Sequence, residues 1–393
     1  MKRVTAALLS VGVLFCVTCS LLSIAAGTPV QAAEPIKIGV VASVTGPAGF
    51  VGKPEKMAIL ACQEMVNQQG GLFGRKVEIY LEDDQTNPTT ATVATTKLIR
   101  DTKVAVIIGG STTEACQGMI PICEREQVAQ LPMAPLTVYQ KKWVFLVPLD
   151  DYYLAEKMVA FTVQTLGAKR LAILNESGPY GKKGANGIKA HAAKYGASII
   201  ITEQCESTDT DMTPQLTRIK SAKPDALMLF TPAFTAAVVA KNYQQLSMQS
   251  IPVITGGGVP SKEFPKLAGK VVEDGRWIPF DPIDLYAEQL PPTDPFRKDL
   301  YDPLFKAIKQ LYGKDTEWDG FFRNGYDNIA IVIEALKIAK TDDRAALRDA
   351  LEKVKYKGFL GTFAYSPTDH QGTTGETFMP IMIKDGKYWP YKK

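Results

Sequence analysis

Short apolar runs alternate with amphipathic stretches along most of this 393-residue chain. Residues 36–41, 77–81 and 104–108 read as strands, the last of them apolar throughout. Residues 55–67, 89–100 and 112–126 read as the helices that follow them. Met57, Leu60, Ala61 and Met65 lie near one face of the first helix, which stops at Gly70-Gly71. Asn87-Pro88 is a start signal for the second. The alternation restarts after Leu149, with helices at 154–166, 184–195, 213–221 and 233–246 and strands at 171–174, 198–201, 226–230 and 252–255. Short apolar strands separated by helices predict parallel sheets covered on both faces. The pattern therefore predicts two α/β lobes in succession. Pro and Gly punctuate three segments, 147–151, 277–282 and 357–361, which are expected to cross between the lobes. Helices at 296–312, 324–339 and 344–354 follow the second crossing. The tail from 361 to 391 reads as strands, with turns at Ser366-Pro367 and Asp385-Gly386.

Residues 1–33 break this pattern. Lys2 and Arg3 precede an apolar run from Ala6 to Ala26, which exits through Thr28-Pro29-Val30-Gln31-Ala32-Ala33. That order is a secretory signal peptide, expected to be cleaved after Ala32 or Ala33. A membrane anchor is the competing reading, disfavoured by the Ser, Thr and Cys interruptions and by the helix-breaking exit. Leu14-Phe15 and Val17-Thr18 are not the small residues that a lipid-attachment signal carries before its Cys. The expected product is a soluble, monomeric protein of the periplasm that does not span the membrane.

Charge and cysteine content narrow the class. The net charge is +4, and Lys2 and Arg3 of the leader carry two of those charges. A nearly neutral chain gives no case for nucleic acid or an anionic surface. Cys62, Cys116, Cys123 and Cys205 remain after the leader, at spacings that match no metal pattern. Cys116 and Cys123 fall on one predicted helix, roughly 10 Å apart along its axis, too far for a disulfide. Buried free thiols are expected. His191 reads as part of a solvated helix face and His370 as part of a turn. No nucleophile elbow, Cys/His pair, phosphate-binding lysine loop or full dinucleotide fingerprint is present. No enzyme activity, cofactor or metal is expected.

The best local site is Gly109-Gly110-Ser111-Thr112-Thr113, which leaves an apolar strand and opens a helix. Glycines let a ligand approach the backbone, and helix-start N–H groups and hydroxyls point outward. Such a cradle suits a carboxylate or phosphate without fixed positive charge. Simple capping of the helix by a hydroxyl is the competing reading.

Several segments resemble the Leu/Ile/Val-type periplasmic solute-binding proteins of ABC transporters: Ile38-Gly39-Val40-Val41-Ala42-Ser43-Val44-Thr45-Gly46-Pro47, Gly70-Gly71 with Gly74-Arg75, Ile108 to Thr113, Gly325-Tyr326-Asp327, and Phe359-x-Gly361. They occur in the family's order from Ile36 to the C terminus. The resemblance implies an α/β fold of two Rossmann-like lobes, each a mostly parallel sheet flanked by helices, joined by three crossing segments. Residues 34–148 plus 281–356 would form the N-terminal lobe and 149–280 plus 357–393 the C-terminal lobe. A small solute would sit in the cleft between them, and the closed form would dock on an ABC permease.

The same resemblance implies site residues. Ser111 and Thr112 match the family's carboxylate-binding positions. Ala134 and Leu136 fall at the next strand end, where a Ser or Thr is usual in place of Leu136. Tyr180 matches a cleft tyrosine. Gly257, within Thr255-Gly256-Gly257-Gly258, falls where amino-acid binders carry an acid opposite the ligand's ammonium. Leaving a buried ammonium unpaired costs about 3–5 kcal/mol, roughly 100- to 3,000-fold in affinity. Phe50, Tyr153 and Phe230 lie near predicted cleft edges, as does Tyr152. Together these residues predict a flat or apolar carboxylate, such as an aromatic acid. Asp150, Asp151 or Glu176 could still reach an ammonium, which keeps a branched-chain or other amino acid as the alternative ligand. A ligand-sensing receptor accessory built on the same lobes is the alternative role.

Overall fold

The computed structural model describes residues 34–136, 141–373 and 375–392. The expected signal peptide lies outside them. In chain order the first elements are β1 (Ile36–Ala42), α1 (Gly49–Gln68), β2 (Val77–Asp83), α2 (Pro88–Lys97), β3 (Val106–Gly109), α3 (Thr113–Glu126) and β4 (Ala129–Leu131). Their strands form a four-stranded sheet in the order β2-β1-β3-β4, parallel throughout. Then come α4 (Asp151–Gln164), β5 (Arg170–Glu176), α5 (Pro179–Ala192), β6 (Ser198–Cys205), α6 (Thr213–Ala222), β7 (Ala226–Phe230), α7 (Ala233–Gln245), β8 (Val253–Thr255), α8 (Glu263–Ala268) and β9 (Trp277–Pro282). The chain continues through α9 (Asp302–Tyr312), α10 (Phe322–Ala339), α11 (Arg344–Leu351), β10 (Lys355–Lys357), β11 (Thr362–Ala364), β12 (Phe378–Lys384) and β13 (Lys387–Pro390).

A second sheet has the order β13-β12-β9-β8-β7-β5-β6. β5 to β9 run parallel, and the tail adds β12 and β13 antiparallel at one edge. β3, β7 and β8 are buried at every residue, as sheets covered on both faces require. The tail hairpin turns at Asp385 and Gly386, with φ of 52° and 68°; two successive positive φ values match the right-handed twist of a two-residue hairpin.

Three helices start earlier than the hydrophobic period alone predicts, and each has a local cause. α1 begins at Gly49 because Gly49 and Gly52 let it run down onto the loop after β1; a Cβ on Gly52 would lie 2.3 Å from the Ser43 carbonyl oxygen. Pro54 then lies inside the helix, at the cost of one ladder bond. α4 begins at Asp151 because the Asp150 carboxylate accepts from the Tyr152 N–H at 2.9 Å. α5 begins at Pro179, the favoured first helical position for proline. Tyr180 is therefore helical.

Helices α9 and α10 pack on α1, beside the first sheet, whereas β12 returns to β9 in the second. The chain thus passes between the two sheets' neighbourhoods at 143–150, 277–283 and 357–378. In the first passage, Phe145 N–H donates to Gln130 O at 2.9 Å and Leu146 N–H to His370 O at 2.8 Å. The Tyr365 hydroxyl donates to Leu146 O at 3.0 Å, which ties the first passage to the third. The second passage is held by Arg323, which reaches Asp281 at 2.6 Å and Asp284 at 3.3 Å. In the third, Phe359 and Leu360 N–H donate to Asp327 at 3.0 and 2.8 Å. Arg323 and Asp327 are one turn apart on α10, so one helix grips two of the three passages.

Candidate ligand cleft

The first wall gathers around the strand ends of the four-stranded sheet. Thr112 caps α3, its hydroxyl accepting from the Ala115 N–H at 3.2 Å. The N–H groups of Thr113 and Glu114, in the first turn, lie outside the intrahelical ladder and remain available as donors. Ser111 is buried, and its hydroxyl is engaged from both sides. It accepts from Ser43 N–H at 3.0 Å and donates to Glu55 Oε2 at 2.5 Å. Glu55 is completely buried, and its Oε1 has no partner. Burial holds this carboxyl well above the usual range, against the pull of Ser111 and Asn324. Beside it, Ser43 Oγ donates to Asp84 Oδ1 at 2.6 Å.

The expected cradle therefore differs in one part. The Ser111 hydroxyl is spent on Glu55 and the Ser43 amide. The Thr112 hydroxyl accepts in its cap and keeps its proton to donate, beside the helix-start backbone. Thr112→Ala is accordingly expected to cost the ligand-free protein about 1 kcal/mol of stability, read as a lower urea midpoint. An unchanged midpoint would mean that the hydroxyl does not cap.

Ala134 and Leu136 pack with Cys116, Ile120, Val144 and Leu146 in a closed apolar cluster. Leu136 is 2% exposed and fills core. Its apolar character satisfies packing in that cluster, a role its position in the sequence did not distinguish from lining an opening.

The second wall lies at the strand ends of β5, β7 and β8. Phe230, at the end of β7, is fully buried. A Cβ on Gly184 would lie 2.2 Å from its ring and one on Gly256 2.7 Å. Those glycines make the slot that holds it. Phe230 in turn supports Tyr180, with ring centroids 5.5 Å apart. The Tyr180 hydroxyl accepts from Gly258 N–H at 2.9 Å, and burial raises its pKa well above the ordinary value. Gly257 is the open position of this wall. A Cβ there would meet only Leu154 and Phe378, both at 3.8 Å. Tyr180, Phe230 and the glycine turn are thus brought together.

Acids cluster at the start of α4. Lys183 Nζ lies 2.7 Å from Asp150 Oδ1, an ion pair by distance without hydrogen-bond alignment. Asp151 is 1% exposed, and its Oδ2 has no partner. Burial pushes this carboxyl up to about 8, with Lys183 pulling the other way.

The two walls touch. Phe50, at the start of α1, meets Phe234 of α7 edge-on at 5.0 Å and Phe321 at 5.8 Å. A Cβ on Gly178 would lie 3.3 Å from Glu114 Oε1. Lys266 pairs with Glu317 at 3.3 Å. Phe50 is therefore a rim residue packed across the gap.

Tyr153 is placed differently from expectation. It lies on the face of α4 shared by Glu156, Lys157 and Ala160, and lines a cavity of about 1090 Å³ with Arg348 and His370. Asp151 and Leu154 occupy the buried face of the same helix. Among the described residues no group of three or more His, Cys, Asp or Glu is placed to hold a metal ion, and no helix is long and apolar enough to cross a membrane.

Comparison with known proteins agrees with this architecture over nearly the whole described chain. A periplasmic binding protein family model matches residues 35–387. A Leu/Ile/Val-binding protein homolog from Brucella melitensis is 25% identical over 340 residues, covering 85% of this chain and 88% of that protein. An extracellular ligand-binding receptor from Rhodopseudomonas palustris HaA2 superposes with a TM-score of 0.82 at 27% identity, covering 91% of this chain and 99% of that one. A solute-binding protein of an ABC transporter from Rhodopseudomonas palustris BisB5, solved with 3,4-dihydroxybenzoic acid, superposes with a TM-score of 0.73 at 21% identity, covering 92% and 98%. These relatives are solute-binding proteins, not enzymes. Mostly parallel sheets flanked by helices are the architecture they share, and this chain belongs to the periplasmic binding protein family.

Proposed function

We propose that the protein is the periplasmic receptor of an ABC importer and binds a small carboxylic acid with a flat, apolar body in the cleft between the two walls. Residues 34–148 plus 281–356 would act as one lobe and 149–280 plus 357–393 as the other, closing about the three passages. A monomer would suffice, because both walls come from one chain. The observation that carries the ligand class is the open glycine wall. Gly257 faces Leu154 and Phe378 without an acid of its own, so that wall offers an apolar surface to a ring. The helix-start amides after Thr112 supply neutral donors for the carboxylate. Burial raises the carboxyl of Glu55, behind Ser111, well above its ordinary range, which disfavours a negative charge beside the ligand. The relative solved with 3,4-dihydroxybenzoic acid is an example of this fold holding such a molecule.

A branched-chain amino acid is the second reading. It draws on the Brucella relative's name and on Asp151, whose Oδ2 is buried without a hydrogen bond. Calorimetric or thermal-shift screening of benzoate-type, phenylpropanoid and short aliphatic acids beside leucine and valine separates the two. Binding of leucine with no response to any aromatic acid would replace the first reading with the second. Gly257→Val tests the wall itself. Its Cβ only reaches van der Waals contact with Leu154 and Phe378, so the variant should fold, while affinity for an aromatic acid should fall by roughly 10- to 100-fold, the scale of 1–3 kcal/mol of overpacking. Unaltered affinity would place the ligand elsewhere.

A further inference from the structure

Asp151 is a buried acid that the fold does not use. Its neighbour Asp150 caps α4 and lies 2.7 Å from Lys183, whose charge also acts on Asp151 without a hydrogen bond to it. Asp151 Oδ2 is sealed from solvent and has no hydrogen-bond partner. A buried polar atom left without a hydrogen bond costs about 1–3 kcal/mol, which the charge of Lys183 offsets only in part.

The surroundings of Asp151 are those of the second wall. Leu154 follows it by one helical turn and is one of the two side chains facing Gly257. Tyr180, which closes the wall through Gly258, is near enough for its hydroxyl's ionisation to feel the Asp151 charge. The acid thus lies one helical turn from the side chain that faces the open, apolar position of the wall. We propose that Asp151 is the second polar anchor of the cleft, taking a hydroxyl on the ring of the bound acid. The ligand class is then a phenolic acid rather than an unsubstituted aromatic one. This rests on the reading of the cleft as a carboxylic-acid site.

A hydroxyl suits this position better than an ammonium. Burial favours the protonated form of Asp151 near neutral pH, and a protonated carboxyl exchanges hydrogen bonds with a hydroxyl without any charge being created in the interior. An ammonium would also meet the charge of Lys183, which already sits beside Asp150.

The test compares 4-hydroxybenzoate, benzoate and leucine by isothermal titration on the mature chain and on Asp151→Ala. Wild type should bind 4-hydroxybenzoate at least about tenfold more tightly than benzoate, because a site built around a hydroxyl rejects the analogue lacking it. In Asp151→Ala that preference should shrink to about threefold or less. Persistence of the preference in the variant would overturn the assignment. Equal wild-type affinities for the two acids would also overturn it, whether or not the variant folds, yet would leave the cleft an aromatic-acid site. Binding of leucine alone would overturn the reading of the cleft as well.

Discussion

Arg323→Met is expected to lower folding stability by about 3–5 kcal/mol, the cost of stranding buried charges by removing their partner. Arg323 is 3% exposed and sits between Asp281 and Asp284, which are equally buried. Trp318 Nε1–H also donates to Asp284, at 2.9 Å. Burial pushes both carboxyls above their usual range, and Arg323 opposes that push. Without the guanidinium both acids are driven further towards protonation. In the folded variant they hold protons that the unfolded chain releases once pH passes the ordinary Asp value of about 3.9, so the penalty should be smallest near pH 4 and grow as pH rises. Replacing Asp281 and Asp284 by leucine in the same variant should recover most of the loss, since apolar residues of similar volume often match a buried ion cluster. Urea denaturation across pH 4 to 8 measures all three effects. A single variant within about 1 kcal/mol of wild type would show the cluster to be neutral.

Asp327→Ala should be comparably severe. It strands the amides of Phe359 and Leu360, both buried, at about 1–3 kcal/mol each. The carboxyl is fully buried and pushed up to about 7, the two amide donors only partly offsetting desolvation. Its pKa in the unfolded chain is near 3.9. Between these values the unfolded state loses its proton while the folded state keeps it, so this group's contribution falls as pH rises through the window and levels off above it. Asp327→Asn, which keeps one acceptor, should therefore be most costly near pH 4 and approach wild type by pH 8. A penalty independent of pH would contradict the raised value.

The two effects share a cause in the architecture. Arg323 and Asp327 lie on α10, which packs against α1 beside the first sheet, and each holds a passage leading to the second. Losing either should loosen the coupling between the sheets before it disturbs either sheet. Binding of a cleft ligand would then be impaired in variants that still fold.

Much of this was legible beforehand because strand and helix periods are local. The apolar run at 104–108 and the Asn87-Pro88 start signal needed no tertiary information, and Asn87 does cap α2 through Thr89 and Thr90. The helix starts were less legible. The helix read over 55–67 lacks the first turns of α1, since close packing of Gly52 on Ser43 cannot be seen in the chain alone. Starting α4 at Leu154 had a larger effect. From Asp151 onward, helical spacing puts Asp151, Leu154 and Met158 on one face and Tyr153, Glu156 and Lys157 on another. The helical spacing thus turns Tyr153 away from the face of Asp151, which the sequence offers only as a partner for an ammonium. Glu55 was read only as the start of a helix. A carboxyl buried beneath Ser111 depends on α1, β1 and α3 meeting, and its local sequence carries no trace of that.

The four cysteines of the described chain are free and enclosed, and burial pushes Cys62, Cys116 and Cys205 up to about 12. Cys62 belongs to the packing beneath the first sheet and Cys205 to that of the second. An alkylating dye at mild pH will therefore label a molecule only after it opens. Variants keeping just Cys62 or just Cys205 turn that silence into a clock for each half, reporting which side of the molecule comes apart first.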